Sequence, residues 1–231
     1  MGGQHAITRR RPGRGLGVLP AALSVALSLF GADHRPPAEY VNRLKTEALI
    51  ETLNGALLAG SSATTTLEQW CAAHHLASPA VITARRDTSV VVPPSEETRA
   101  RLKLAPGEPY GFRRVKLMCG DKVLSEADNW YAPSRLTDAM NEALDNTTTP
   151  FGRVIAPFKA FRRTFSVERL WSPLPNDWAE RGAWSSHDLQ LTFPTDRALF
   201  RHRAVVLKPD GSPIAEVSET YMIDAVQLTD R

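Results

Sequence analysis

The turn Lys208-Pro209-Asp210-Gly211, lying between two strand-like runs at 200–208 and 213–224, constrains this chain most. Proline pre-sets the backbone for a turn and glycine accepts a positive φ, so the two runs form an antiparallel hairpin. Gly120-Asp121-Lys122 does the same between 110–119 and 123–131. Further strands are expected at about 160–172 and 188–194, and a third hairpin at 80–92, with Ala80–Thr83 and Ser89–Val92 as its arms around Arg85-Arg86-Asp87. Helical spacing belongs to other segments. Val41, Leu44, Ala48, Leu49, Leu53 and Leu57 recur at three and four. Thr65-Thr66-Leu67-Glu68 has capping-box form and predicts a second helix to about His75. Ser95–Leu102, 134–144 and 150–156 read as short helices, and 172–186 as an irregular excursion with two prolines and two tryptophans. Helices followed by a run of antiparallel strands define an α+β domain.

That domain occupies residues 40–231, preceded by a linker at 33–39 and a segment of different character at 1–32. Residues 1–15 hold Arg9, Arg10, Arg11 and Arg14 and no acid; Leu16–Ala32 is then uncharged and apolar. This is the layout of a secretory signal peptide, or, uncleaved, of an N-terminal membrane anchor. It predicts a periplasmic or secreted protein touching a membrane only through that segment; without use of the leader the protein is cytoplasmic. Removing those four arginines takes the formal charge from +3 to −1, so no nucleic-acid-binding surface is indicated. Cys71 and Cys119 are too few for a disulfide framework and read as two separate small core residues, with pairing open if the chain is exported. No metal-ligand spacing occurs, and a monomer is expected.

Glu219 is the sharpest single residue. Ala215, Val217, Tyr221 and Ile223 share its parity, whereas Glu216 falls with Ser218 and Thr220 on what reads as the wet face. A carboxylate in an apolar row needs a buried arginine as partner, or is raised in pKa and available as an acid. In Tyr110–Cys119 the parity favours Arg113, which falls with Val115, Leu117 and Cys119, over Arg114 as the inward cation. Arginine grips a carboxylate through two parallel hydrogen bonds. Thr149-Pro150-Phe151-Gly152-Arg153 starts a helix at a proline, leaving the next backbone N–H groups free for an anion.

These segments together resemble the chorismate lyase family. Arg114-Val-Lys-Leu-Met-Cys-Gly-Asp121 is similar to its arginine-bearing strand, and Thr149–Arg153 to its threonine-proline-leucine-glycine-arginine turn. Leu57–Thr64 with Leu67-Glu68-Gln69 resembles the segment after its first helix, and Gly211-Ser-Pro213 to Ser218-Glu219-Thr-Tyr221 its last hairpin. The resemblance spans about residues 50–224. It implies an antiparallel sheet with helices packed over one face, a buried ligand and no cofactor or metal. It implies an enzyme that eliminates pyruvate from chorismate, or a related enolpyruvyl aromatic precursor, to give 4-hydroxybenzoate. In that reading Arg114 clamps the carboxylate, Phe151 donates a backbone N–H beside Gly152, and Glu219 is the acid.

Three departures reshape the expected pocket: Ala63 stands where the family has a methionine, Phe151 replaces a leucine, and Lys116 adds a cation on the side of Arg114. The family match selects Arg114 where strand parity slightly favours Arg113, and because Arg114 keeps the five-residue spacing to Cys119 the inward cation is expected to be Arg114. The usual family member is also cytoplasmic. A second reading follows, an exported non-catalytic protein that binds a small aromatic carboxylic acid.

Overall fold

The computed structural model describes residues 38–180 and 196–226. Six antiparallel strands form one sheet: β1 (Ile82–Asp87), β2 (Gly111–Cys119), β3 (Lys122–Tyr131), β4 (Phe161–Arg169), β5 (Ala198–Leu207) and β6 (Pro213–Met222). Their order is β1-β2-β3-β6-β5-β4. Both turn-marked hairpins form as expected, β2–β3 and β5–β6, and they meet along β3 and β6 in the middle of the sheet.

Four helices lie over one face. On α1 (Ala38–Ala59), Ile50, Leu53 and Leu57 are buried; on α2 (Ala63–Ala73), Leu67, Trp70 and Cys71 are buried, and all six join Val115, Leu117, Ala127 and Tyr221 of the sheet. Met140 and Leu144 of α4 (Asp138–Asn146) and Phe151 of α5 (Phe151–Val154) form a second cluster with Val206, Ala215 and Val217. The cap of α2 is Ser62, three residues before the expected one, and its hydroxyl accepts from the Thr65 amide.

The remaining helix, α3 (Glu96–Leu102), sits on the opposite face and overturns two expectations. The 80–92 hairpin does not form. Residues 82–87 make a single strand, and Pro93-Pro94, which cannot donate to a ladder, follow the segment expected to pair with it. That segment crosses the outer face, where the Val92 carbonyl accepts from Trp130 Nε1 at 2.9 Å. Glu216 is not wet either: it is fully buried beneath α3. Arg101 binds it in bidentate fashion at 2.7 and 2.9 Å, Arg203 at 2.9 Å, and the Thr98 hydroxyl donates at 3.1 Å. Glu216→Ala would leave two arginines facing an empty acceptor site. With those arginines 30% and 39% exposed, the expected loss is about 1–3 kcal/mol, read as a lower urea midpoint at unchanged slope.

Cys71 and Cys119 are not separate core residues. Their Cα atoms are 6.4 Å apart and their sulfurs are bonded, joining the last turn of α2 to the end of β2. No described helix is long and apolar enough to cross a membrane. The leader and the strand expected at 188–194 lie outside the described residues.

Candidate functional site

A cavity opens between the sheet and the helices, at the seam of the two apolar clusters. Its volume is ≈ 60 Å³. Its floor is Val115 and Leu117 of β2, Ala127 and Asn129 of β3, Val217 and Glu219 of β6 and Val206 of β5. The small side chain of Ala127, central in the sheet, leaves the space that a larger residue would fill. Its wall is the start of α2, Ser62 to Thr64, and the single turn of α5. Gly152 allows those two helices to touch: a Cβ there would lie 2.9 Å from both the Ser62 and Thr64 hydroxyl oxygens. Arg153 ties them again through Glu68, at 2.6 Å. Much of the Thr149–Arg153 motif therefore docks α5 onto α2.

Ala63, Phe151, Gly152 and Glu219 all line this cavity. Arg114 and Lys116 do not. Both lie on the outer face of β2, where Arg114 makes two 2.7 Å bonds to Asp128 and Lys116 pairs with Glu126 at 2.8 Å. The reason is the two-residue period of the strand. Val115, Leu117 and Cys119 must face the helices, and turning Arg114 inward would expose all three.

Arg113 is the inward cation. It is 1% exposed, and none of its three guanidinium nitrogens has a hydrogen-bond partner among the described residues. Burial, then the charge of Arg86, pushes its pKa below the usual arginine value. It pairs in register with Asn129 and shares a face with Val115, so it lies directly beyond these two cavity residues.

Glu219 has a partner that strand parity alone does not identify. Arg162, at the start of β4, places Nη2 2.7 Å from Glu219 Oε2. That contact lacks hydrogen-bond alignment and is an ion pair, since Arg162 Nε and Nη2 both remain without a hydrogen-bonded acceptor among the described residues. Arg162 Nη1 donates to the Tyr221 hydroxyl at 3.2 Å, which donates to Glu219 Oε2 at 3.0 Å. Burial disfavours the Arg162 charge, but Glu219 and the Tyr221 hydroxyl together outweigh it and hold the guanidinium above its ordinary pKa. His202, opposite Glu219 on β5, is pushed down to about 4 by burial and then by Arg162, and its Nε2 lies 2.8 Å from Asn54 Oδ1. Among the described residues no group of His, Cys, Asp and Glu is arranged to hold a metal ion.

Fold and site thus define an α+β domain with a small buried cavity beside an arginine that has no hydrogen-bonded acceptor among the described residues. The chain is 38% identical over 194 residues to uncharacterized protein y4mC of Sinorhizobium fredii, an alignment covering 80% of this chain and 78% of that one, and it belongs to the same family. No family model matches it. Among solved structures, PhnF from Mycobacterium smegmatis is similar at 15% identity and a TM-score of 0.46, over 84% of this chain and 89% of that one. The ligand-binding domain of a putative GntR-family transcriptional regulator from Bordetella bronchiseptica is similar at 16% identity and a TM-score of 0.38, over 65% and 90%.

Proposed function

We propose that this chain binds a small planar carboxylic acid in the cavity between sheet and helices, with Arg113 as the partner of the anion. The supporting observation is the bare guanidinium. A buried charge is retained only with a partner, because an uncompensated one costs several kcal/mol, on the order of that for a broken buried ion pair. A carboxylate entering past Val115 and Asn129 supplies that partner through two parallel hydrogen bonds. Phe151 is the side chain that has to turn to admit it. It lines the cavity and packs 5.7 Å from the ring of Tyr131, a diagonal neighbour of Arg113 across β2 and β3.

Lyase action on chorismate is the second reading. It is favoured by the meeting of Ala63, Phe151, Gly152 and Glu219 in one cavity, as the sequence resemblance implies. Against it, Glu219 already pairs with Arg162. A site of action outside the cytoplasm is part of the proposal, supported by the Cys71–Cys119 bond together with the leader-like residues 1–32.

One experiment separates the two readings. The full-length chain is titrated with benzoate and 4-hydroxybenzoate by calorimetry, then incubated with chorismate while pyruvate and 4-hydroxybenzoate are followed together. Saturable binding that Arg113→Met abolishes, with no pyruvate released, is the expected result. Release of both products in step, lost in Glu219→Gln, would replace binding by catalysis.

A further inference from the structure

We infer that β4 is an interface strand, across which two copies of this chain pair antiparallel about a two-fold axis, in place of the monomer expected from the sequence. The inference is independent of what the cavity binds.

The two edges of the sheet differ. Along β1 the outward backbone groups are taken: the Glu68 carboxylate accepts from the Ile82 amide, Arg153 donates to the Ile82 carbonyl, and the Thr148 carbonyl accepts from the Ala84 amide. On β4 the Arg162 amide, at the start of the strand, donates to the Ser61 carbonyl. That bond turns the backbone of Arg162, and by alternation that of Thr164, away from β5. Phe165 is an extra residue, a bulge opposite the step from Ala204 to Arg203, and it resets the alternation. Since the Leu170 amide donates back to Leu199 of β5, Arg169 and Val167 point outward in their turn. Among the described residues no strand lies beyond them. Of the seven large apolar side chains exposed among the described residues, Phe161, Phe165 and Val167 are three, and no other strand carries one. An open edge bearing exposed apolar residues is a template for another strand.

The bulge decides what that strand is. It blunts the edge against a flat foreign strand, whereas a second copy brings the same bulge. With the two-fold axis between Phe165 and Ser166, the bulges lie opposite each other, and Thr164 faces Val167 of the second copy on either side of the axis. Each of these pairs points its amides and carbonyls across the seam and exchanges two hydrogen bonds. The faces agree as well. Thr164 and Val167 lie opposite Ala204 and His202, on the helix side of the sheet, while Arg163 and Glu168 lie opposite Val205 and Arg201, on the outer side. This register therefore sets Arg163 against Glu168 twice. Among the described residues Arg163 is exposed and has no ion pair, and Glu168, 55% exposed, holds Arg201 at 3.2 Å. A slip by one residue sets inner side chains against outer ones, and a slip by two loses both ion pairs. Arg162 falls against Arg169, but each is already neutralised within its own copy, by Glu219 and by Glu47 and Glu51.

The test is sedimentation equilibrium of the full-length chain, unmodified and as Arg163→Glu, Arg163→Glu/Glu168→Arg and Val167→Pro. The Val167 amide points away from β5, so proline there removes a donor at the seam without cutting the β5 ladder. The expected result is a dimer whose dissociation constant rises at least about tenfold in Arg163→Glu and returns to within about threefold in the charge swap. Val167→Pro is expected to be a monomer. The swap is the discriminating arm, since it restores a contact only between oppositely charged partners on two copies. A monomer at every concentration up to about 100 μM overturns the inference. So does a dimer that Arg163→Glu leaves intact, or one that the charge swap fails to restore, even if Val167→Pro does not fold.

Discussion

Arg113→Met is expected to have two effects of opposite sign: loss of ligand affinity by at least about 100-fold, and a rise in the stability of the unliganded protein. The first follows from truncating one member of a buried, hydrogen-bonded charge pair, which typically costs about 2–5 kcal/mol. The second follows from the unliganded state, in which three buried guanidinium nitrogens have no acceptor among the described residues. Methionine keeps the length and apolar bulk of the stem without the charge, and replacing buried ionic groups by apolar ones often gains roughly 1–4 kcal/mol. Thermal unfolding of both proteins, with and without benzoate, measures the two effects together. An arginine serving structure alone would give the reverse, a lower melting temperature in the variant. Arg113→Lys is the informative intermediate. It restores a charge without the planar fork and should recover only part of the affinity.

Removal of the Cys71–Cys119 bond is expected to have the largest effect on stability of any change outside the charged clusters. The two residues are 48 apart in sequence, and closing a loop of that size in the unfolded chain contributes roughly 4 kcal/mol in the chain-entropy picture. The bond also joins two walls of the cavity. Ala63 and Thr64 begin the helix that carries Cys71, and Val115 and Leu117 precede Cys119 on β2. Urea unfolding of the oxidised chain against the Cys71→Ala/Cys119→Ala variant should show a midpoint lower by that amount of free energy, with weaker benzoate binding in the variant. Matching midpoints would mean that the two sulfurs are not bonded in the protein as made.

Much of this architecture is legible in the amino-acid sequence, and the reason is local. A Pro-Asp-Gly turn or a Gly-Asp-Lys turn sets its hairpin from within a few residues, and period-two alternation places Arg113 and Glu219 on the inner face from their immediate neighbours. Where the family resemblance and the alternation disagree, over Arg114 and Arg113, the alternation prevails. It reflects the burial of Val115, Leu117 and Cys119, which no substitution of one neighbour for another can evade. The expected 80–92 hairpin fails for the converse reason. Its first arm has a partner far off in β2, and Pro93-Pro94 carry the remainder over the sheet to α3.

The class of fold, both hairpins and the two inward charges are thus written in the residues themselves, since each depends on contacts within one strand or one turn. The pairing of those charges belongs to the packed chain. Glu219 meets Arg162 from a strand that begins 58 residues earlier, Glu216 is enclosed by Arg101 from a helix on the far face, and Cys71 finds Cys119 across the helix–sheet boundary. Such partners are set by strand order and by which helix covers which face. Both arise only when distant segments pack together, and they leave no periodic trace in the residues that make the contact.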